Sequence, residues 1–159
     1  MKEILLTKNQ VALVDDRDFE YLSQFKWYAA KSGSTFYAKR DTHLTNGKRI
    51  VIYMHREILN VPKGMETDHI DHFGLNNQRM NLRICTRQEN QMNRNSQKNS
   101  SSKHKGIFWD KNAKKWQVQI NYNGETKYLG IYHSETDAAL AYNIKASELF
   151  REFAKLNVI

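Results

Sequence analysis

The stretch KWQVQINYNGETKYLGIY, residues 115–132, decides the fold of one part of this chain. Its first eight residues alternate. Trp116, Val118, Ile120 and Tyr122 fall on one face, and Lys115, Gln117, Gln119 and Asn121 on the other. A period of two marks a strand with one buried and one wet face. Asn123-Gly124 supplies the two residues that best accept positive φ in a type I′ hairpin turn, so TKYLGIY returns as the partner strand. Upstream, KGIFWD (105–110) reads as a third strand. Downstream, Ser134 and Asp137 resemble a capping box that opens a helix over ETDAALAYNIKASELFREF (135–153). Ala138, Ala141, Tyr142, Leu149 and Phe153 form its apolar face. Residues 105–159 are therefore expected to be a three-stranded antiparallel sheet packed on one helix.

Charge divides along the same line. Residues 98–128 carry seven Lys against Asp110 and Glu125, whereas residues 129–159 carry three basic and four acidic side chains. The whole chain of 159 residues has a net charge of +8 and a pI near 9.5. Such a balance points to a polyanionic partner, most often nucleic acid. The outward Lys, Gln, Asn, Thr126 and Tyr128 side chains offer donors to phosphates and base edges. Hydrophobic residues make up 40 % of the chain, enough for a core. Cys85 is the single cysteine, which excludes an internal disulfide and Cys-rich zinc sites and fits a reducing, intracellular (cytoplasmic) setting. MKEILLTKNQ has too short an apolar run for a signal peptide, and no membrane span is expected.

Working back, residues 96–104 (SQKNSSSKH) are polar and small, and read as a linker. Residues 1–62 hold short β-like runs, EILL, VALV, FYAKR and RIVIYM, broken by DDRD, KSGS and TNGK. DFEYLSQFKWYAA between them reads as a short helix or an irregular strand. Trp27, Trp109 and Trp116 read as core. The fold class is α+β, with a β-rich N-terminal region (1–62), a second unit at 63–95, the linker, and the sheet-and-helix unit at 105–159.

The segment METDHIDHFGLNNQRMNLRICTRQENQMNR (65–94) carries the chemistry. A short strand ends near Asp68-His69, FGLNN is a loop, NLRICT is a second strand, and Thr86 with Glu89 caps a helix beginning near Arg87. His69 stands 12 residues before Asn81 and 21 before Asn90. Hydrolysis of a phosphodiester needs an activated water, relief of the transition-state charge and help for the leaving 3′ oxygen. An imidazole can serve as the base. Asp68 is a carboxylate ligand for a cation, and Asn90 is placed to offer an amide oxygen. That all-oxygen pair, completed by water and phosphate, favours Mg²⁺ or Mn²⁺ over Zn²⁺. On a strand, His69 and Asp68 point to opposite faces, which frees His69 for the scissile phosphate. Asn81 is expected to cross-link the loop and hold both strands.

Through DHID, NNQRMNLR and TRQENQMNR this segment resembles the HNH (ββα-metal) nucleases, in their homing-endonuclease branch. The resemblance implies metal binding by Asp68 and Asn90, general-base catalysis by His69 and structural support by Asn81. Asn90 stands where other branches have His, which fits Mg²⁺. His72 stands where Gly or Asn is common; it reads as an exposed loop residue or as a second phosphate contact. His55, in YMHREIL, resembles the HR step that precedes the motif, and reads as a packing or capping residue. Arg94 is a phosphate clamp or a solvated helix-end side chain.

Residues 103–157, through KGIFWDKNAKKWQVQI, YLGIYHSETDAALAYN and FAKLN, resemble the AP2 DNA-binding domain found beside phage and bacterial nucleases. That resemblance implies double-stranded DNA against the sheet, touched by Lys105, Gln117, Gln119, Asn121, Thr126 and Tyr128. Lys103, Lys105, Lys114 and Lys115 are candidates for phosphates. Together the readings give a metal-dependent endonuclease with no small-molecule substrate. Its rivals are a DNA-binding regulator with a decayed HNH unit and an RNA-binding protein using the same basic sheet.

Overall fold

Short alternating runs in this sequence become short strands, and the computed structural model shows a mixed α+β chain of several small antiparallel sheets with few helices. It describes residues 1–95 and 100–159; residues 96–99, and with them the first part of the expected linker at 96–104, lie outside the described residues. The chain divides into two units, Met1–Arg87 and Gln88–Ile159.

In the first unit β1 (Lys2–Leu5) and β2 (Val11–Val14) form an antiparallel hairpin. The stretch that read as helix or irregular strand is both. It forms α1 (Asp16–Leu22), with Asp16 and Asp18 in the first turn where the helix dipole favours acids. It then enters β3 (Tyr28–Ser32). β3, β4 (Thr35–His43) and β5 (Arg49–Tyr53) make a three-stranded antiparallel meander. RIVIYM does not run through as strand. It stops at Tyr53, and Met54 opens α2 (Met54–Leu59), which buries Met54, His55 and Ile58 and closes on Asn60 in the left-handed conformation, φ +47°. β6 (Glu66–His69) and β7 (Leu82–Cys85) pair antiparallel.

The core of this unit gathers Ile4, Ala12, Val14, Leu22, Trp27, Ala38, Met54, Ile58, Leu75 and Leu82. Trp27 is buried and donates its indole N–H to the Leu22 carbonyl at 2.8 Å. Leu75 comes from the loop between β6 and β7, so that loop is anchored in the core. It is also stitched to β2. Leu13 N–H donates to Leu75 O (2.9 Å) and Asn77 N–H to Leu13 O (2.8 Å), a short parallel bridge. Arg79 adds a fork of two 2.8 Å bonds to Asp18.

α3 (Arg87–Met92) belongs to the second unit but for its first residue. β8 (Ile107–Asp110), β9 (Lys115–Tyr122) and β10 (Glu125–Tyr132) form an antiparallel sheet with β9 central. Asn123 and Gly124 take φ +53° and +80° between β9 and β10, as a type I′ turn requires. The sequence reading missed a β-bulge between Tyr128 and Gly130, which resets the register so that Gly130 faces Val118 and Ile131 faces Gln117.

α4 (Glu135–Phe150) packs on β9. Ser134 Oγ accepts the N–H groups of Thr136 (3.2 Å) and Asp137 (3.4 Å), the cap that starts it. Its buried stripe is Ala138, Ala139, Tyr142, Ala146 and Phe150. That stripe is rotated from the expected one, with Ala141 only half-buried. The helix also ends earlier than expected, because Arg151 turns to φ +49°. Gly106, at φ +77°, lies under Tyr142, and a Cβ there would sit 2.3 Å from the ring. Trp116 packs against the core, but Trp109 is 39 % exposed and meets Trp116 edge-on, which corrects its reading as core. Residues 100–104 also pack here: Ser102 and His104 are buried, and Ser102 Oγ donates to Glu135 at 2.6 Å.

Candidate functional site

β6 ends in Asp68 and His69, both buried. In the register of the hairpin Asp68 faces Arg83 and His69 faces Leu82. Arg83 Nε and Nη2 both donate to Asp68 Oδ2, at 2.8 and 2.6 Å. A buried carboxylate is costly unless charge and hydrogen bonds compensate it, and Arg83 does so here.

On the other face His69 Nε2 lies 3.3 Å from Asn77 Oδ1. Asn77 is fully buried, and its Nδ2 donates to Leu75 O at 3.2 Å. That bond orients the amide, so Oδ1 is the atom that faces the imidazole. The neutral His69 then carries its proton on Nε2 and presents Nδ1 as the basic atom. Burial pushes His69 below the usual histidine range, against the opposing pull of Asn77, Asp71 and Asp68. The sequence does not name this orienting partner, and the expectation for it is a backbone carbonyl near the loop; the partner is instead a side chain, Asn77, in the amide-rich FGLNN loop.

Two rings from elsewhere in the first unit pack against His69. Tyr37 of β4 lies 5.7 Å from it and His55 of α2 lies 5.1 Å from it, centroid to centroid. His55 is buried, and its Nδ1 has no hydrogen-bond partner among the described residues. Burial, then the nearby His69, Arg56 and Lys39, pushes its pKa down to about 3. His55 is thus a packing residue, and the rings that it packs on include that of His69.

The loop after His69 is held by a polar network. Asn81 Nδ2 donates to Asp71 Oδ1 and to Asn76 O, each at 2.8 Å, and Asn81 Oδ1 accepts the Asp71 N–H at 3.0 Å. Asn76 Nδ2 donates to Asp71 Oδ2 at 2.8 Å, and the Phe73 N–H to Asp71 Oδ1 at 2.8 Å. Burial would raise the Asp71 pKa, but the bonds from Asn76, Phe73 and Asn81 outweigh it and hold the carboxyl below its usual range. His72 is half-buried at φ +65°, a conformation that explains why Gly or Asn suits the position.

The remaining predicted residues belong to the second unit. Asn90 is half-buried on α3, and Arg94 follows, exposed. Lys103 and Lys114 are exposed and Lys115 is half-buried. Lys105 turns its ammonium to the carbonyl oxygens of Gln91 and Met92, at the end of α3. Burial, then Arg94 and Lys155, lowers its pKa to about 8. Gln117, Gln119 and Asn121 share the outer face of β9, with Tyr128 opposite Gln119 and Thr126 opposite Asn121. Thr126 donates to Asn121 Oδ1 at 2.6 Å, and Tyr128 is 60 % exposed. Part of this face, Gln119, Asn121 and Thr126, lines a cavity of about 790 Å³ together with Gln88, Arg94 and Lys105.

Asp68 carries carboxylate oxygens and Asn90 an amide oxygen, donor types that a hard divalent cation takes; among the described residues no three His, Cys, Asp or Glu side chains gather in a metal-binding cluster. No helix among the described residues is long and apolar enough to cross a membrane.

Comparison with known proteins adds to this geometry. A family profile described as HNH endonuclease matches residues 60–92. Over 158 residues the chain is 34 % identical to an uncharacterized HNH endonuclease of Acanthamoeba polyphaga mimivirus, covering 96 % of this chain and 77 % of that protein. Over 65 residues it is 35 % identical to Protein 3.8 of Escherichia phage T7, covering 41 % of this chain and 54 % of that protein. No solved structure matches the chain.

Proposed function

The chain belongs to the HNH endonuclease family, and on that premise we propose that it is a metal-dependent DNA endonuclease of the homing type, with the second unit as an AP2-like DNA-binding module. The observation that carries the reading is the buried His69, oriented through Nε2 by Asn77 Oδ1 and held neutral by burial. Such an imidazole can take a proton from water at Nδ1 near neutral pH. Asn81 and Asp71 hold the loop that carries Asn77, so the base is set before substrate arrives. Asp68 and Asn90 would hold one Mg²⁺ or Mn²⁺ ion. When bound, that ion supplies the Lewis acidity that relieves charge on the phosphate and on the leaving 3′ oxygen. Lys103, Lys114, Lys115 and Arg94 would neutralise phosphates, and Gln117, Gln119, Asn121, Thr126 and Tyr128 would meet base edges of duplex DNA. Lys105 would support them by capping α3. The homing and phage character rests on the resemblance alone.

The decisive experiment is incubation with supercoiled plasmid, with and without Mg²⁺ or Mn²⁺. Open-circular or linear product that requires the metal is the expected result, and the form of the product separates nicking from double-strand cutting. Asn90→Ala should raise the metal concentration needed. An unchanged metal titration would remove Asn90 from the shell. One observation favours a second reading, a DNA-binding regulator with a decayed nuclease unit: Arg83 already compensates the Asp68 carboxylate. In that case the plasmid stays intact at every metal concentration while the duplex is still bound.

A further inference from the structure

We propose that His55 is a positioning residue that sets the rotation of the His69 ring by edge-on packing. The catalytic consequence rests on the reading of His69 as the base; the packing itself does not. His69 Nε2 lies 3.3 Å from Asn77 Oδ1, and rotation of the ring about that contact is limited by what the ring packs against. His55 stands 5.1 Å from His69 with the two planes at 87°, an edge-to-face contact. Tyr37 meets His69 at 5.7 Å and 60°, and meets His55 at 5.5 Å and 69°. Tyr53 backs His55 at 5.3 Å and Tyr37 at 6.4 Å. Four rings therefore brace one another, and His55 touches the other three.

The nitrogen chemistry of His55 points the same way. Its Nδ1 is buried and makes no hydrogen bond among the described residues, so in this state the side chain acts through its ring and not through that atom. α2 supports the placement from behind, because Met54 and Ile58 on either side of His55 are core residues. The HR step thus gains a physical reason for lying ahead of the motif: it carries the wall on which the base leans.

The test compares His55→Ala with His55→Phe in the full chain with Mg²⁺. His55→Ala should lower kcat by about tenfold or more with KM and duplex affinity unchanged, since misorientation costs the chemical step. His55→Phe keeps an aromatic edge and should stay within about threefold of wild type. An independent reading comes from the ¹⁵N spectrum of the His69 ring. Wild type and His55→Phe should show one tautomer, with the proton on Nε2, and His55→Ala a mixture. Should His55→Ala lose its fold by circular dichroism, His55→Leu, which refills the volume without a ring, takes its place with the same expected split. A wild-type kcat in the ringless variant, an equal loss in His55→Phe, a loss confined to KM, or an unchanged His69 tautomer would each overturn the proposal. If the wild-type protein cuts no DNA, the reading of His69 as a base fails, and the tautomer measurement still decides the positioning role.

Discussion

Amides do opposite work in the two units. In the first, Asn77 is fully buried and Asn81 is 9 % exposed, and their side chains bond to His69, Asp71 and the loop backbone. In the second, Gln117 and Gln119 lie on the outer face of β9, with the largely exposed Tyr128 across from Gln119. A hydrogen bond already made fixes geometry, whereas one still exchanging with water can be given to a ligand at little net cost. The first arrangement suits chemistry, which needs atoms held in advance. The second suits recognition.

Breaking the buried side should have the largest effect. His69→Ala should lower cleavage by about 10²-fold or more while duplex affinity stays level. A mutant with near-normal turnover would move the chemistry elsewhere. Asn81→Ala removes three side-chain hydrogen bonds from the loop. At about 1 kcal/mol for each net bond it should cost about 2–3 kcal/mol in urea unfolding, and activity should fall with it.

A pH scan sharpens the contrast further. His55 has its pKa near 3 in the folded chain, against about 6.5 when unfolded. As pH falls the unfolded chain takes up the proton first, so stability is full above about 6.5 and is lost progressively down to about 3. His69 is shifted in the same direction. The slope from one such group is up to about 1.4 kcal/mol per pH unit. Urea midpoints at pH 7 and pH 5 measure it, and His55→Phe should flatten the curve. On the exposed side, Lys114→Ala should change the least: no loss of stability, and a drop of about 0.9 in the log–log salt slope of duplex binding. An unchanged slope would take Lys114 off the DNA.

How much of this was readable in advance depended on how local its cause was. The hairpin around Asn123-Gly124, the cap at Ser134 and the start of α3 at Arg87 follow from neighbours in sequence, and they appear where the pattern put them. The bulge after Tyr128 was hidden, because YLGIY alternates just as well without it. His55 reads as a packing or capping residue in the sequence, but the rings it packs on were hidden. They include Tyr37 and His69, each more than ten positions away in sequence, and α2 looks like the tail of a strand when only Arg49–Met54 is read. Asn77 was invisible for the same reason, since a loop amide becomes an orienting group only once Leu75 has pulled it into the core. Trp109 shows the reverse error: large apolar size does not ensure burial at the edge of a small sheet.

The bridge between β2 and the loop that joins β6 to β7 has a consequence for anyone trimming this protein. The amides of Leu13 and Asn77 donate across one seam, to Leu75 and Leu13 respectively. They should therefore exchange their hydrogens with solvent as a pair, at one rate, when that seam opens. A chain shortened before Val14 would lose the seam, and with it the floor on which Asn77 stands. A fragment that keeps Asn77 in place therefore has to begin ahead of these strands rather than at the motif.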